Sequence, residues 1–169
     1  MPKWTTPWRT TGGPPDPATG CTVLAGRLSL RSYRDFPRLL WWTLRIRRRL
    51  ARFPGLVGHA FGADPRNGTL WVVSVWSDRA ELARFDRTGP HHEAKRRLRP
   101  ALLTSTIAVW RCRPDELPVP WSEVRRRIAQ ADRRGRDGLP VASVGTRACR
   151  GGPAAGTRRP AAPTENPGP

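Results

Sequence analysis

Two adjacent histidines, His91 and His92, are the residues in this sequence best suited to chemistry. They follow Pro90, and proline is well tolerated at the first position of a helix. In a helix that begins there, His91 keeps step with Ala94 and Leu98, whereas His92 falls on the opposite, basic stripe. The pattern predicts that His91 faces the protein interior and that His92 faces solvent. A neutral imidazole at a helix start can accept a proton, donate a hydrogen bond or ligate iron.

Aromatic and small polar residues in the preceding segment could form a pocket beside His91. Ser74 and Trp76 lie in a run of β-branched and aromatic residues that is typical of a strand. Phe85 lies on the apolar side of the helix predicted after this strand, before a break at Thr88-Gly89-Pro90. We predict that Ser74, Trp76 and Phe85 line a pocket with His91. The alternative is that they form core, with the imidazole bonded to a backbone carbonyl.

Three more residues are candidates to line the same pocket. Trp41 and Trp42 are adjacent in a predicted helix, so they cannot both lie at the centre of one apolar stripe, and we assign Trp41 to the pocket. Arg27 lies in the middle of a predicted strand, where it could point into a cavity or simply be solvated. His59 lies in another predicted strand, where it could act as a ligand or base, or have a structural role.

The periodicities predict a β-α-β-β-α-β order followed by a further helix. The expected strands are 22–30, 56–63, 70–76 and 104–112. This order is the split-βαβ, ferredoxin-like arrangement of an α+β protein, with a four-stranded antiparallel sheet and both helices on one face. The open face would need cover, either from a second copy of the chain or from single-stranded RNA. The third strand lacks the glycine-aromatic alternation typical of RNA-binding domains, which favours the homodimer.

Composition divides the chain into one domain and two tails. Proline and glycine crowd both ends, so we expect residues 1–20 to be a disordered tail, 21–131 to be the domain, and 132–169 to be a disordered basic tail rich in Pro, Ala and Gly. The net charge of +18 is almost entirely arginine. It suits polyanions such as nucleic acid, but arginine-rich helix faces explain it more simply.

Cysteine spacing and hydropathy bear on metals and location. Three cysteines without metal-site spacing predict no metal centre. No apolar run is long enough to span a bilayer, and the N-terminus shows no signal peptide, so we predict a cytoplasmic protein.

Several segments together resemble a known superfamily. They are Phe53–Gly58, Leu70–Asp78, Leu82–Phe85 and the following His91, and the resemblance extends over residues 22–112. It is to the dimeric α+β barrel proteins, the antibiotic-biosynthesis-monooxygenase-like superfamily, and within it to small actinobacterial members and to relatives similar to spheroidene monooxygenase. The resemblance implies a homodimer with a pocket between each sheet and its helices.

The resemblance also implies a range of activities. The superfamily contains cofactor-free oxygenases of aromatic substrates, haem-degrading enzymes and proteins without known activity. The axial histidine of the haem degraders falls at Lys95, and Phe85 stands where they have a tryptophan, so the match to them is poor. The resemblance therefore implies a monooxygenase-like protein that binds a small apolar or aromatic substrate without a cofactor, with His91 as catalytic base. The alternatives are haem held by His91 and a non-catalytic barrel.

Overall fold

The protein forms a single antiparallel sheet with helices on both faces. The structure is a computed structural model that describes residues 2–12, 20–87 and 89–136. Its strands are β1 (Trp4–Thr5), β2 (Arg9–Thr10), β3 (Cys21–Leu30), β4 (Leu56–Asp64), β5 (Thr69–Trp76) and β6 (Leu102–Cys112). Its α-helices are α1 (Phe36–Leu50), α2 (Arg79–Arg87), α3 (Gly89–Leu98) and α4 (Trp121–Arg136). None of these helices is long and apolar enough to cross a lipid bilayer.

The four long strands follow the ferredoxin-like order β4-β5-β3-β6. All their pairings are antiparallel, and Leu24 of β3 lies opposite Ser74 of β5 and Val109 of β6. The predicted β-α-β-β-α-β order with a following helix is therefore confirmed. The described part of the sheet has six strands instead of four, because the short strands β1 and β2 both pair with the outer edge of β4.

Residues 2–12, which we expected in a disordered tail, run along this edge of β4. The backbone N–H of Thr6 donates to a β4 carbonyl at 2.8 Å. Trp8 packs against the core above Gly58, where a Cβ atom would lie 2.6 Å from the indole ring. The expectation of disorder is wrong for this stretch, because backbone pairing and one docked tryptophan hold a segment whose composition is otherwise typical of a tail. The rest of the predicted tail before Gly20 lies outside the described residues.

The second face of the sheet, which we expected to be open, is covered by α4. Val124, Ile128 and Ala131 of α4 are buried against residues of the central strands. Trp71, the aromatic residue of β5 on this face, is only 8 % exposed. The face therefore needs neither a second copy nor RNA to cover it, and the argument for a dimer drawn from an open face is wrong. The dimer implied by the resemblance stays a prediction.

An ion pair ties α4 to the sheet. Arg27 Nη2 lies 2.9 Å from Asp132 Oδ2, and the hydroxyl of Thr106 donates to the same carboxylate. The Arg27 guanidinium also lies 5.7 Å from the centre of the Trp71 ring. Asp132 was expected to begin the disordered C-terminal tail, but the helix continues to Arg136, because these contacts extend the packed face of α4. Residues 137–169 of that predicted tail lie outside the described residues.

The break in the second helical segment occurs where the sequence predicts it. Asp78 caps α2, since its carboxylate accepts the N–H of Glu81 at 2.8 Å. Leu82 and Phe85 are the buried residues of α2. The chain then restarts as α3 at Gly89, whose φ is +28°. A change of direction between α2 and α3 lets residues from both helices meet at one point.

Replacing Ile128 tests whether α4 is integral to the domain. This side chain is 1 % exposed, so Ile128→Ala should lower the free energy of unfolding by about 2–5 kcal/mol. Arg133→Ala, an exposed position on the same helix, should change it by less than about 0.5 kcal/mol. Urea denaturation followed by tryptophan fluorescence measures both variants. Equal stability of the two variants would mean that α4 does not pack on the sheet as described.

Candidate active site

A cavity of about 480 Å³ lies between the sheet and the helices α1 and α3. Its wall is mainly apolar, and representative members are Leu28, Trp42, Ile46, Phe61, Val72 and Ile107. Its polar members include Ser74, Asp86, His91 and Lys95. A volume of this size, apolar with a few grouped polar side chains, is typical of a site for a small organic ligand.

His91 lies in the cavity wall, as its helical position predicts. Its side chain is 29 % exposed, while Ala94 and Leu98 on the same stripe are buried and His92 faces solvent. His91 Nδ1 is 3.1 Å from Asp86 Oδ1, although the ring is not aligned for a proper hydrogen bond. The carboxylate therefore lies beside the imidazole at contact distance.

Asp86 is the functional candidate that sequence reasoning missed. Its carboxylate also accepts two contacts from Lys95 Nζ, at 2.9 and 3.0 Å. Burial alone would raise the pKa of Asp86, but the neighbouring His91 and Lys95 outweigh it, so this pKa lies below its usual value. The carboxylate is thus ionised at neutral pH. Lys95 lies one helical turn after His91, and Asp86 directly follows Phe85. The sequence signal for Asp86 was therefore its position next to a predicted pocket residue, in a helix that precedes the helix of His91 and Lys95.

The rings of Phe85 and Trp76 form an aromatic cluster that packs against His91. The Phe85 ring centre is 5.0 Å from that of His91 and 5.1 Å from that of Trp76. Trp76 is fully buried and its indole N–H donates to Ser74 Oγ at 3.0 Å. Phe85 and Ser74 line the cavity together with His91, whereas Trp76 does not line it. Trp76 instead fixes the positions of Phe85 and Ser74, which do.

Two predicted pocket residues lie elsewhere. Trp41 is 52 % exposed on the outer side of α1, and its neighbour Trp42 lines the cavity. The assignment of Trp41 is therefore wrong, since the adjacent position is the one that α1 turns toward the sheet. Arg27 is also misassigned, because its place in β3 puts it on the face that α4 covers, where it pairs with Asp132.

His59 is buried next to the cavity but does not line it. It is 1 % exposed, lies opposite Ser74 in the sheet register, and its ring is 5.5 Å from that of Phe61, which is in the wall. Neither ring nitrogen has a hydrogen-bond partner among the described residues. Burial lowers the pKa of His59, and the charges of Arg47 and Arg9 lower it further. The residue is therefore a neutral, unpaired imidazole behind the wall.

Groups that would bind a metal are sparse in the described residues. Within 2–12, 20–87 and 89–136, no three or more His, Cys, Asp or Glu side chains are grouped to hold a metal ion. Cys21 and Cys112 face each other across β3 and β6, and both are buried. Burial raises the pKa of both thiols, that of Cys112 to about 12. These thiols are therefore poor ligands and poor nucleophiles at neutral pH.

Solved structures of similar fold come from several bacteria. A protein of Fusobacterium nucleatum, provisionally named a monooxygenase, aligns with 62 % of this chain and 47 % of its own, with 8 % identity and a TM-score of 0.54. One from Lactobacillus acidophilus, also provisionally named a monooxygenase, aligns over 57 % and 46 %, with 9 % identity and a TM-score of 0.50. A Nitrosomonas europaea protein, provisionally named an antibiotic biosynthesis monooxygenase, aligns over 56 % and 91 %, with 9 % identity and a TM-score of 0.51.

These similarities establish the fold. The chain shares the fold of these three proteins, and the predicted α+β, ferredoxin-like fold class is confirmed. It spans about half the length of the Fusobacterium and Lactobacillus proteins. No sequence-family profile and no curated protein matches the chain.

Because His59 is buried, we expect the stability of the protein to decrease at acidic pH. The pKa of His59 in the folded state lies below 6.5, its ordinary value. Between the folded-state pKa and 6.5, the unfolded state therefore binds more protons than the folded state. Stability should therefore fall as the pH drops below 6.5, with no contribution from His59 above that pH. His59→Leu should flatten this part of the profile. Thermal melting between pH 7.5 and pH 5, in steps of about half a unit, measures both proteins, and parallel profiles would contradict the prediction.

Proposed function

We propose that the protein is a monooxygenase-like enzyme that oxidises a small apolar or aromatic substrate in the cavity without a cofactor. The observation that carries this proposal is the pairing of His91 with Asp86 in the wall of a mainly apolar cavity. A base inside a dry pocket can remove a proton from carbon, and the pocket keeps water away from the carbanion. The shared fold supports the proposal without identifying the substrate.

In the proposed reaction His91 accepts a proton from an acidic methylene group of the substrate. Asp86 faces Nδ1, which leaves Nε2 to take the proton, and the carboxylate stabilises the imidazolium that forms. The carbanion donates electrons to O₂, one oxygen atom stays on carbon as a carbonyl, and the other leaves as water. The substrate CH₂ group supplies both the electrons and the two hydrogens of that water, so no further reductant is needed.

The same pair of residues favours haem binding as a second candidate function. A histidine that ligates a metal usually has a carboxylate, a backbone carbonyl or a water beside its other ring nitrogen, and His91 has the carboxylate of Asp86 there. His91 would hold the iron, and haem would supply O₂ activation. Adding haemin and recording the visible spectrum tests this candidate. A Soret band that is lost in His91→Ala would favour haem over the cofactor-free reaction.

We also propose that the protein forms a homodimer, and that its interface is a surface of α1 and not the sheet. Leu40, Trp41 and Leu44 form an apolar patch on α1, exposed by 40 %, 52 % and 45 %. We expect light scattering at micromolar concentration to give twice the chain mass of 18.9 kDa. Trp41→Glu with Leu44→Glu should return the mass to that of one chain, since charge would disrupt an apolar contact. A single-chain mass for the unaltered protein would contradict the dimer.

Substitution of the two histidines tests the proposed chemistry. We expect the protein to accelerate oxygen uptake with anthrone, an apolar aromatic ketone that carries one acidic methylene group. His91→Gln should lower this rate by about 100-fold or more, the usual share of a general base, with little change in melting temperature. His92→Gln, the exposed neighbour, is the matched control and should leave both unchanged. Equal rates for the two variants would exclude His91 as the base.

A further inference from the structure

A second hollow adjoins the cavity on its outer side. It has a volume of about 350 Å³, and Ile46, Phe85 and His91 line both the hollow and the cavity. The hollow is therefore the approach to His91 from the surface. Its character differs from that of the cavity, because part of its wall is strongly basic.

Three arginines give the hollow its charge. Arg48, Arg49 and Arg52 line it, and all three are exposed at or just beyond the end of α1. No carboxylate pairs with them among the described residues, whereas six other arginines there form ion pairs. Arg49 Nη1 would lie only 3.6 Å from a Cβ at Gly89, so its guanidinium rests against the start of α3.

The acidic group that lines the adjoining cavity is already paired with other basic groups. Asp86 lines the inner cavity, and its charge is balanced by Lys95 Nζ at 2.9 Å, with His91 at 3.1 Å. Within the described part of the chain, no carboxylate oxygen lies at ion-pair distance from the three arginines of the hollow. A guanidinium binds a carboxylate or sulfonate through parallel hydrogen bonds, and this hollow contains three guanidinium groups.

We propose that the ligand of the cavity is an amphipathic anion, whose apolar body fills the cavity while its single negatively charged group sits among Arg48, Arg49 and Arg52. This inference rests on the proposed function, because it assigns a substrate class to the same cavity. The arginines select the acid form of an apolar compound over its neutral analogue and orient its apolar end toward His91. They are binding residues in this scheme and take no part in proton transfer.

Two fluorescent probes with the same carbon skeleton test the proposal. N-phenyl-1-naphthylamine is neutral, and 8-anilinonaphthalene-1-sulfonate carries one sulfonate on the same rings. We expect both to bind and to compete with each other, with the sulfonate tighter by about tenfold, because each charge contact at an exposed site contributes about two- to fivefold in affinity. This preference should shrink as salt is added.

Paired variants assign the preference to the hollow. Arg49→Gln with Arg52→Gln should remove most of the preference for the sulfonate and leave binding of the neutral probe unchanged. Arg133→Gln with Arg134→Gln makes the same change in net charge on α4, on the other side of the sheet, and should leave both affinities unchanged. If both double variants weaken the sulfonate equally, its binding reflects only the overall charge of +18, and the proposal is wrong.

The outcomes separate this inference from the function on which it rests. If the neutral probe does not bind, the cavity does not take apolar ligands, and the proposed function fails together with the inference. If the neutral probe binds and the sulfonate binds no tighter or does not compete with it, only the assignment of an anionic ligand is overturned.

Discussion

The burial of one sheet on both faces is the constraint from which the rest of the structure follows. Strands β3 and β5 lie at the centre of the sheet, and their side chains alternate between α4 on one face and the cavity on the other. Valine and alanine predominate on the α4 face, where the helix packs closely. Larger side chains on the other face meet those of α1 and α3, and they leave a space between the two layers.

The break between α2 and α3 determines where polar side chains meet in the wall of that space. An uninterrupted helix would carry Asp86 and His91 five positions apart, on different sides of its axis. The change of direction at Gly89 brings the carboxylate within 3.1 Å of the imidazole instead. The aromatic rings of Phe85 and Trp76 then hold this corner in place, since Trp76 is fully buried and bonded to Ser74.

Local patterns in the sequence were sufficient to predict the strands and helices and the order in which they occur. Strand alternation, the Asp78 cap and the restart at Pro90 each act within a few residues, so the core strands, the α2 boundary and the inward direction of His91 could be predicted. The docking of Trp8 and the face covered by α4 could not, because a local pattern does not show which distant surface a segment packs against. For the same reason Asp86 was missed, and Arg27 and Trp41 were assigned to the wrong surface.

Because side chains alternate between the two faces along β3 and β5, substitutions at neighbouring positions of these strands affect different properties of the protein. Substitutions at Val23, Ala25 or Val75 act on the packing of α4 and so on whether the chain folds. Substitutions one position away, at Leu24, Val72 or Ser74, alter the cavity wall and so which ligand fits it. Relatives of this chain could therefore diverge in ligand while retaining the same stability, by drift confined to every second residue of two strands.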